Sequence, residues 1–253
     1  MRFRVAVRAA LLAVVCAAAT AAHAMEPWKV LADTRKATPR PPWPAGDERG
    51  MANQIGPATW TRCAWHLTQS RAKLYELSAA PSGAAAQGAQ LDALGAGIDK
   101  AAALVTSAVL LDARAQVGGG RPLEAGAQIT RADIEAMLRA QMLGKRGIQY
   151  GDVVYVYTGW GESGAAEATP PGLAPDAVSY LGERRAVAVG LDAPIPDPSP
   201  LAAQFGIHAL ERTRLDELAR DHVWTSCTVI LPLREAGATN SPVRPVAIGV
   251  PGQ

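Results

Sequence analysis

Two short runs bring chemistry-bearing side chains close together in the sequence. His208-Ala209-Leu210-Glu211 sets an imidazole three residues before a carboxylate, and in a helix that spacing puts both on one face. An imidazole so placed is a candidate for catalysis. Gln90-Leu91-Asp92 sets a carboxamide two residues before a second carboxylate, inside an Ala/Gly-rich stretch. Each group also has a structural reading. Asp92 can cap a turn beside Gly95, Glu211 at a helix start is favoured by the helix dipole, and His208 can serve as a buried hydrogen-bonding group. His66 falls in an amphipathic stretch over residues 60–67, and His222 precedes a strand. Trp160, on the turn after a strand, is the aromatic best placed to line a pocket. No Gly-x-Ser-x-Gly elbow, phosphate loop or Cys-x-x-Cys pair occurs, so serine hydrolase, nucleotide and zinc-finger readings lack support.

The elements that must position these groups alternate between strand and helix. Residues 107–112 form a short apolar run of the kind buried on both faces of a sheet. Thr130 is an N-cap for a helix with Asp133 in its first turn and Ile134, Leu138 and Met142 on one face. A β-branched and aromatic strand over 153–158 follows Gly151-Asp152, and a helix with Pro in its first turn covers 175–184. Further strands are predicted over 186–191 and 223–233, with a short helix over 214–220 between them. Residues 79–97 read as loop, and Gly118-Gly119-Gly120 as a connector. The alternation predicts one α/β domain with a mixed or mainly parallel sheet.

Composition narrows the class. Residues 1–24 have a basic start, an apolar middle and a small-x-small end at Ala22-His23-Ala24, which predicts a cleaved Sec-type signal peptide and a secreted or periplasmic protein. Residues 25–47 are Pro-rich and aperiodic and read as an extended arm, leaving 48–253 as the folded domain. The leader holds three basic residues and no acidic ones, so the net charge of +2 falls to about −1 without it. No basic field remains to attract nucleic acid or an anionic membrane. Cys63 and Cys227 could pair in an oxidising compartment, but two separate buried thiols are the expectation for cysteines so far apart.

Several ordered stretches resemble the cyclase family, the metal-dependent hydrolases that include bacterial kynurenine formamidase. They are residues 46–53, 105–112, 151–160, 206–218 and 237–246, so the resemblance runs through most of the chain from residue 46. It implies a swivelling β/β/α fold with a mixed central sheet flanked by helices, commonly in a homo-oligomer. It also implies a divalent zinc or manganese ion that activates water for attack on an amide or ester carbonyl. The family signature is His-x-Gly-Thr-His-x-Asp with a further His soon after. Its positions fall here on Ala86, Ala89, Gln90, Asp92 and, for the later His, near Ala96. A downstream His position falls on Pro198 or Ser199, and the family Glu on Glu211. The ligands the resemblance leaves are Asp92 and Glu211 with Gln90 as a third, a set poor in the imidazole that zinc favours but able to hold a divalent ion weakly. His208 and Trp160 are candidates for a substrate pocket. Two functions stay open: an arylformamidase-like hydrolase of small amides or lactones with a rebuilt site, or a non-catalytic relative that binds a small molecule or an oligomer partner.

Overall fold

The computed structural model describes residues 43, 47–78, 88–95, 97–162 and 168–252. Residues 1–24, read as a signal peptide, and nearly all of 25–47, read as a Pro-rich arm, lie outside the described residues. A 3-10 turn over Gly50–Gln54 leads into helix α1 (Pro57–Leu67), which has Pro at its first position and the Thr59 hydroxyl closing its first turn on Gly56. There follow β1 (Lys73–Glu76), β2 (Gln90–Asp92), β3 (Leu104–Asp112), α2 (Ala113–Gln116), β4 (Gln128–Ile129) and α3 (Arg131–Ala140). The second half holds β5 (Val153–Tyr157), β6 (Gly172–Leu173), α4 (Pro175–Glu183), β7 (Ala188–Leu191), β8 (His208–Glu211), α5 (Asp216–Arg220), β9 (Thr225–Ile230), β10 (Asn240–Pro242) and β11 (Val246–Gly249).

Nine strands form one sheet in the order β1-β11-β9-β3-β5-β7-β8-β2-β10, and β4 and β6 pair separately. Strands β3, β5, β7 and β8 run parallel, and every other pairing in the large sheet is antiparallel. This is the mixed central sheet flanked by helices that the sequence predicts. Across the parallel centre one row reads Val109, Val154, Val189, Ala209, all buried, because strands covered on both faces have no solvent side to populate with polar residues.

Helix α3 begins as expected: Thr130 and Asp133 form a reciprocal capping box. It ends sooner. Met142 lies beyond the helix with a φ of +58° and is 91% exposed, so the third apolar position of the expected stripe contributes nothing to the core.

Two links fasten α1 to the sheet. Cys63 and Cys227 form a disulfide between α1 and β9, with Cα atoms 4.4 Å apart, which corrects the expectation of two separate thiols. Fold topology, invisible in the spacing, brings them together. The second link is ionic. Asp152, fully buried just before β5, accepts from Arg146 at 2.8 Å, from the Ser107 hydroxyl and from the Gln149 N–H at 2.9 Å. Arg62 of α1 lies 3.7 Å from the same carboxylate and donates to Ser107 and to the Tyr150 carbonyl. His66, one turn on, is buried beside these charges, and burial with the Arg146 charge pushes its pKa down to about 4.

Both links predict measurable losses. Replacing Cys63 and Cys227 by Ser removes a crosslink spanning 164 residues and is expected to cost about 2–5 kcal/mol in chemical denaturation. Asp152→Ala leaves two partly buried guanidinium groups without their shared carboxylate and is expected to cost about 2–4 kcal/mol in the same measurement.

Candidate functional site

Strands β2 and β8 pair antiparallel with Gln90 opposite Glu211 and Leu91 opposite Leu210. Successive strand residues alternate faces, so Gln90, Asp92 and Glu211 share one face while fully buried Leu91 points to the other. The 3-10 turn at Gly50 closes in behind: Met51 N–H donates to the Gly206 carbonyl at 2.7 Å, and Gly50 and Gly206 both hold left-handed φ values with no room for a Cβ between them. Between the ends of β2, β8 and β10 and the segment 198–203 lies an open cavity of about 500 Å³. Asp92, Glu211, Ser199, Thr239 and Asn240 are its polar groups, and Leu94 with four alanines supplies apolar wall. Its place beyond the carboxyl end of a parallel strand is where open α/β sheets bind ligands.

The two carboxylates differ in environment. Glu211 accepts from the Ile195 N–H at 3.0 Å and from the Arg212 guanidinium at 2.9 Å. Asp92 is pushed up to about 6, first by burial and then by the neighbouring Glu211, with Arg212 pulling the other way. A carboxyl in that state can exchange a proton near neutral pH and can donate or accept toward a bound carbonyl.

The structure also relocates several candidates. Residues 208–211 are strand, not helix, because β8 pairs in parallel with β7 through Ala188, Val189 and Gly190. His208 and Glu211 therefore face opposite sides of the sheet, and the helix-dipole reading of Glu211 falls away. His208 is fully buried; its Nδ1 lies 3.3 Å from the Asp92 carbonyl, and since a carbonyl only accepts, Nδ1 carries the proton of that bond. Burial lowers the pKa of this imidazole against the pull of the Asp92 and Arg49 carbonyls. The ring braces the backbone under Asp92 and does not line the cavity. Gln90 lies on the carboxylate face but is not among the lining residues. Trp160 is buried in the turn after β5, outside this cavity. That turn is organised by Asp192, which accepts from Thr158 N–H and Oγ1 and from Gly159 N–H at 2.9, 2.6 and 2.7 Å, while burial raises its pKa to about 6. Part of the stretch expected as loop is β2 itself.

The donor set does not fit a zinc or manganese ion. Among the described residues no three His, Cys, Asp or Glu side chains converge. Ala89 is fully buried and carries no ligating atom, Pro198 and Ser199 occupy the cavity rim where an imidazole is implied, and both oxygens of Glu211 already hold donors. Ala86 and Ala96 lie outside the described residues, and neither side chain can bind a metal. Arg212 is the group that sequence reading missed. Its only signal is adjacency to Glu211, which in a regular strand would send it to the opposite face.

Comparison with known proteins agrees with this architecture. The cyclase family model matches residues 29–198. A crystal structure described as a novel cyclase superposes with a TM-score of 0.66 at 22% identity, over 80% of this chain and 96% of that one. Isatin hydrolase A from Ralstonia solanacearum superposes with a TM-score of 0.55 at 20% identity, over 77% and 98% of the two chains. Isatin hydrolase A from Labrenzia aggregata, bound to benzyl benzoate, gives 0.56 at 16% identity, over 76% and 99%. These likenesses show a shared fold. No curated protein matches the sequence.

The raised carboxyl at Asp92 makes a pH-resolved prediction. Its folded pKa of about 6 exceeds the ordinary 3.8, so its contribution is fully present below 3.8 and is lost as pH rises through 6. Asp92→Asn is therefore expected to stabilise the protein above pH 6 by about 1 kcal/mol, after discounting for its partial exposure, and to be neutral at pH 4. Thermal melts at the two pH values check this; a loss of stability at both would instead mark Asp92 as a turn cap.

Proposed function

The chain belongs to the cyclase family, and from that premise we propose that it is a secreted small-molecule binder that keeps the fold and its cavity without the family's metal-dependent hydrolysis. One observation carries this: of the two acidic groups at the cavity, Glu211 already has a donor on each oxygen, from Arg212 and the Ile195 N–H, leaving Asp92 as the carboxylate turned to a ligand's use. A ligand with one hydrogen-bond donor or amide edge and a flat apolar body suits a cavity with polar groups on one side and Leu94 and alanines on the other. The isatin hydrolases that share the fold point to small aromatic carbonyl compounds as the class to try first. The disulfide between α1 and β9 supports an oxidising compartment, in line with the leader. Half-exposed Trp60, Leu67 and Leu74 around α1 and β1 support a homo-oligomer.

A second reading, an arylformamidase-like hydrolase of small amides or lactones with a rebuilt site, draws on the coupled pair of Asp92 and Glu211 as a proton-transfer group. A panel of isatin, N-formylkynurenine and simple lactones separates the two, assayed with and without added zinc or manganese. The binder reading expects no turnover above buffer, saturable binding of at least one uncleaved compound, and at least tenfold weaker binding in Asp92→Ala. Turnover that Asp92→Ala abolishes would sink it in favour of the hydrolase.

A further inference from the structure

We infer that Arg212 supplies from within the chain a positive charge that offsets the carboxylates of the cavity, and that its guanidinium, held on Glu211, keeps divalent cations from that carboxylate. The geometry begins with the backbone. Strand β8 ends at Glu211, and regular alternation would carry the next side chain to the far face. Arg212 instead adopts a φ of +54°, an uncommon conformation for a residue with a side chain, and this breaks the alternation and folds the guanidinium back onto its neighbour. Surrounding hydrogen bonds hold that conformation: Arg212 N–H donates to the Ala193 carbonyl at 3.2 Å, and both the N–H and the hydroxyl of Thr213 donate to the Leu191 carbonyl at 2.9 and 2.8 Å.

The charge sits where an ion would have to compete with it. Glu211 Oε2 holds Arg212 at 2.9 Å and Oε1 holds the Ile195 N–H at 3.0 Å, so a divalent cation must compete with a guanidinium charge and a donor on each oxygen of a carboxylate whose side chain is only 14% exposed. Arg212 also draws on Asp92 electrostatically, opposite in sign to the Glu211 repulsion. One guanidinium thus serves both acids, leaving a single net negative charge in the cavity. The inference rests on the binder reading and extends it: a cavity with one of its two carboxylate charges offset from within accepts a neutral or singly charged cationic hydrogen-bond donor and has no use for a divalent ion.

Manganese(II) titrated into the purified full chain, with the free ion counted by electron paramagnetic resonance, tests this without any activity assay. The wild type is expected to take up no stoichiometric ion up to millimolar concentrations. Arg212→Gly suits a left-handed backbone and is expected to keep its melting temperature while gaining one site at least tenfold tighter than in the wild type. Adding Asp92→Asn to that variant should abolish the gain. Stoichiometric binding by the wild type, no gain in Arg212→Gly, or a gain that survives Asp92→Asn would each overturn the inference. Metal uptake without turnover defeats this inference alone, and turnover without metal uptake defeats the binder reading alone.

Discussion

The buried carboxylate of Asp152 is the interaction on which the remaining structure depends. A bare carboxylate in the core would be prohibitively costly, so the chain surrounds it with Arg146, Arg62, Ser107 and the Gln149 N–H, drawing three segments to one point. Its backbone carries the arrangement outward. The Asp152 carbonyl accepts from Val187 N–H at 2.8 Å, and the Val187 carbonyl accepts from His208 N–H at 3.0 Å. The His208 ring then reaches the Asp92 carbonyl on the next strand. Four links therefore connect the α1 anchor to the cavity, and the register of β5, β7, β8 and β2 is set along them.

The cavity separates the demands of the scaffold from those of the site. The sheet, the open carboxyl end of β8 and the facing β2–β10 edge remain in place, and two acidic residues stand on one face of adjacent strands. Among the described residues, Gln90 and Pro198 or Ser199 stand where the resemblance implies imidazoles, and one arginine is bent onto its neighbour. Scaffold and site answer to different constraints. The first needs buried apolar rows and paired backbone; the second needs a few atoms of the right kind.

That difference also governs how much was legible in the sequence. Val153 to Tyr157 and the capping box at Thr130 carry their structure locally, through β-branched residues and a side chain in reach of the helix start, and both were readable. Strand β2 was not, because Gln90-Leu91-Asp92 has no strand character of its own and becomes a strand only by pairing with β8 and β10. Residues 208–211 looked helical for the same reason: the parallel partner β7 that makes them a strand lies elsewhere in the chain. At the site, the order of motifs located Asp92 and Glu211, but the left-handed turn at Arg212 depends on Ala193 and Leu191 across a strand and leaves no local trace. The disulfide is likewise a product of packing between α1 and β9.

The ordering of strands has a consequence for how copies of the chain meet one another. A sheet that does not close leaves two rows of backbone groups able to recruit a strand from another molecule. Here one boundary is β1, four residues bearing Lys73 and Glu76 at its ends, with Glu76 gripped by Arg244 at 2.7 and 2.9 Å. The other is β10, three residues long and ending in Pro242, which has no N–H to offer. Short, charged or proline-stopped borders make poor templates for cross-β growth, so the widest element of the molecule is also guarded against polymerising through its edges.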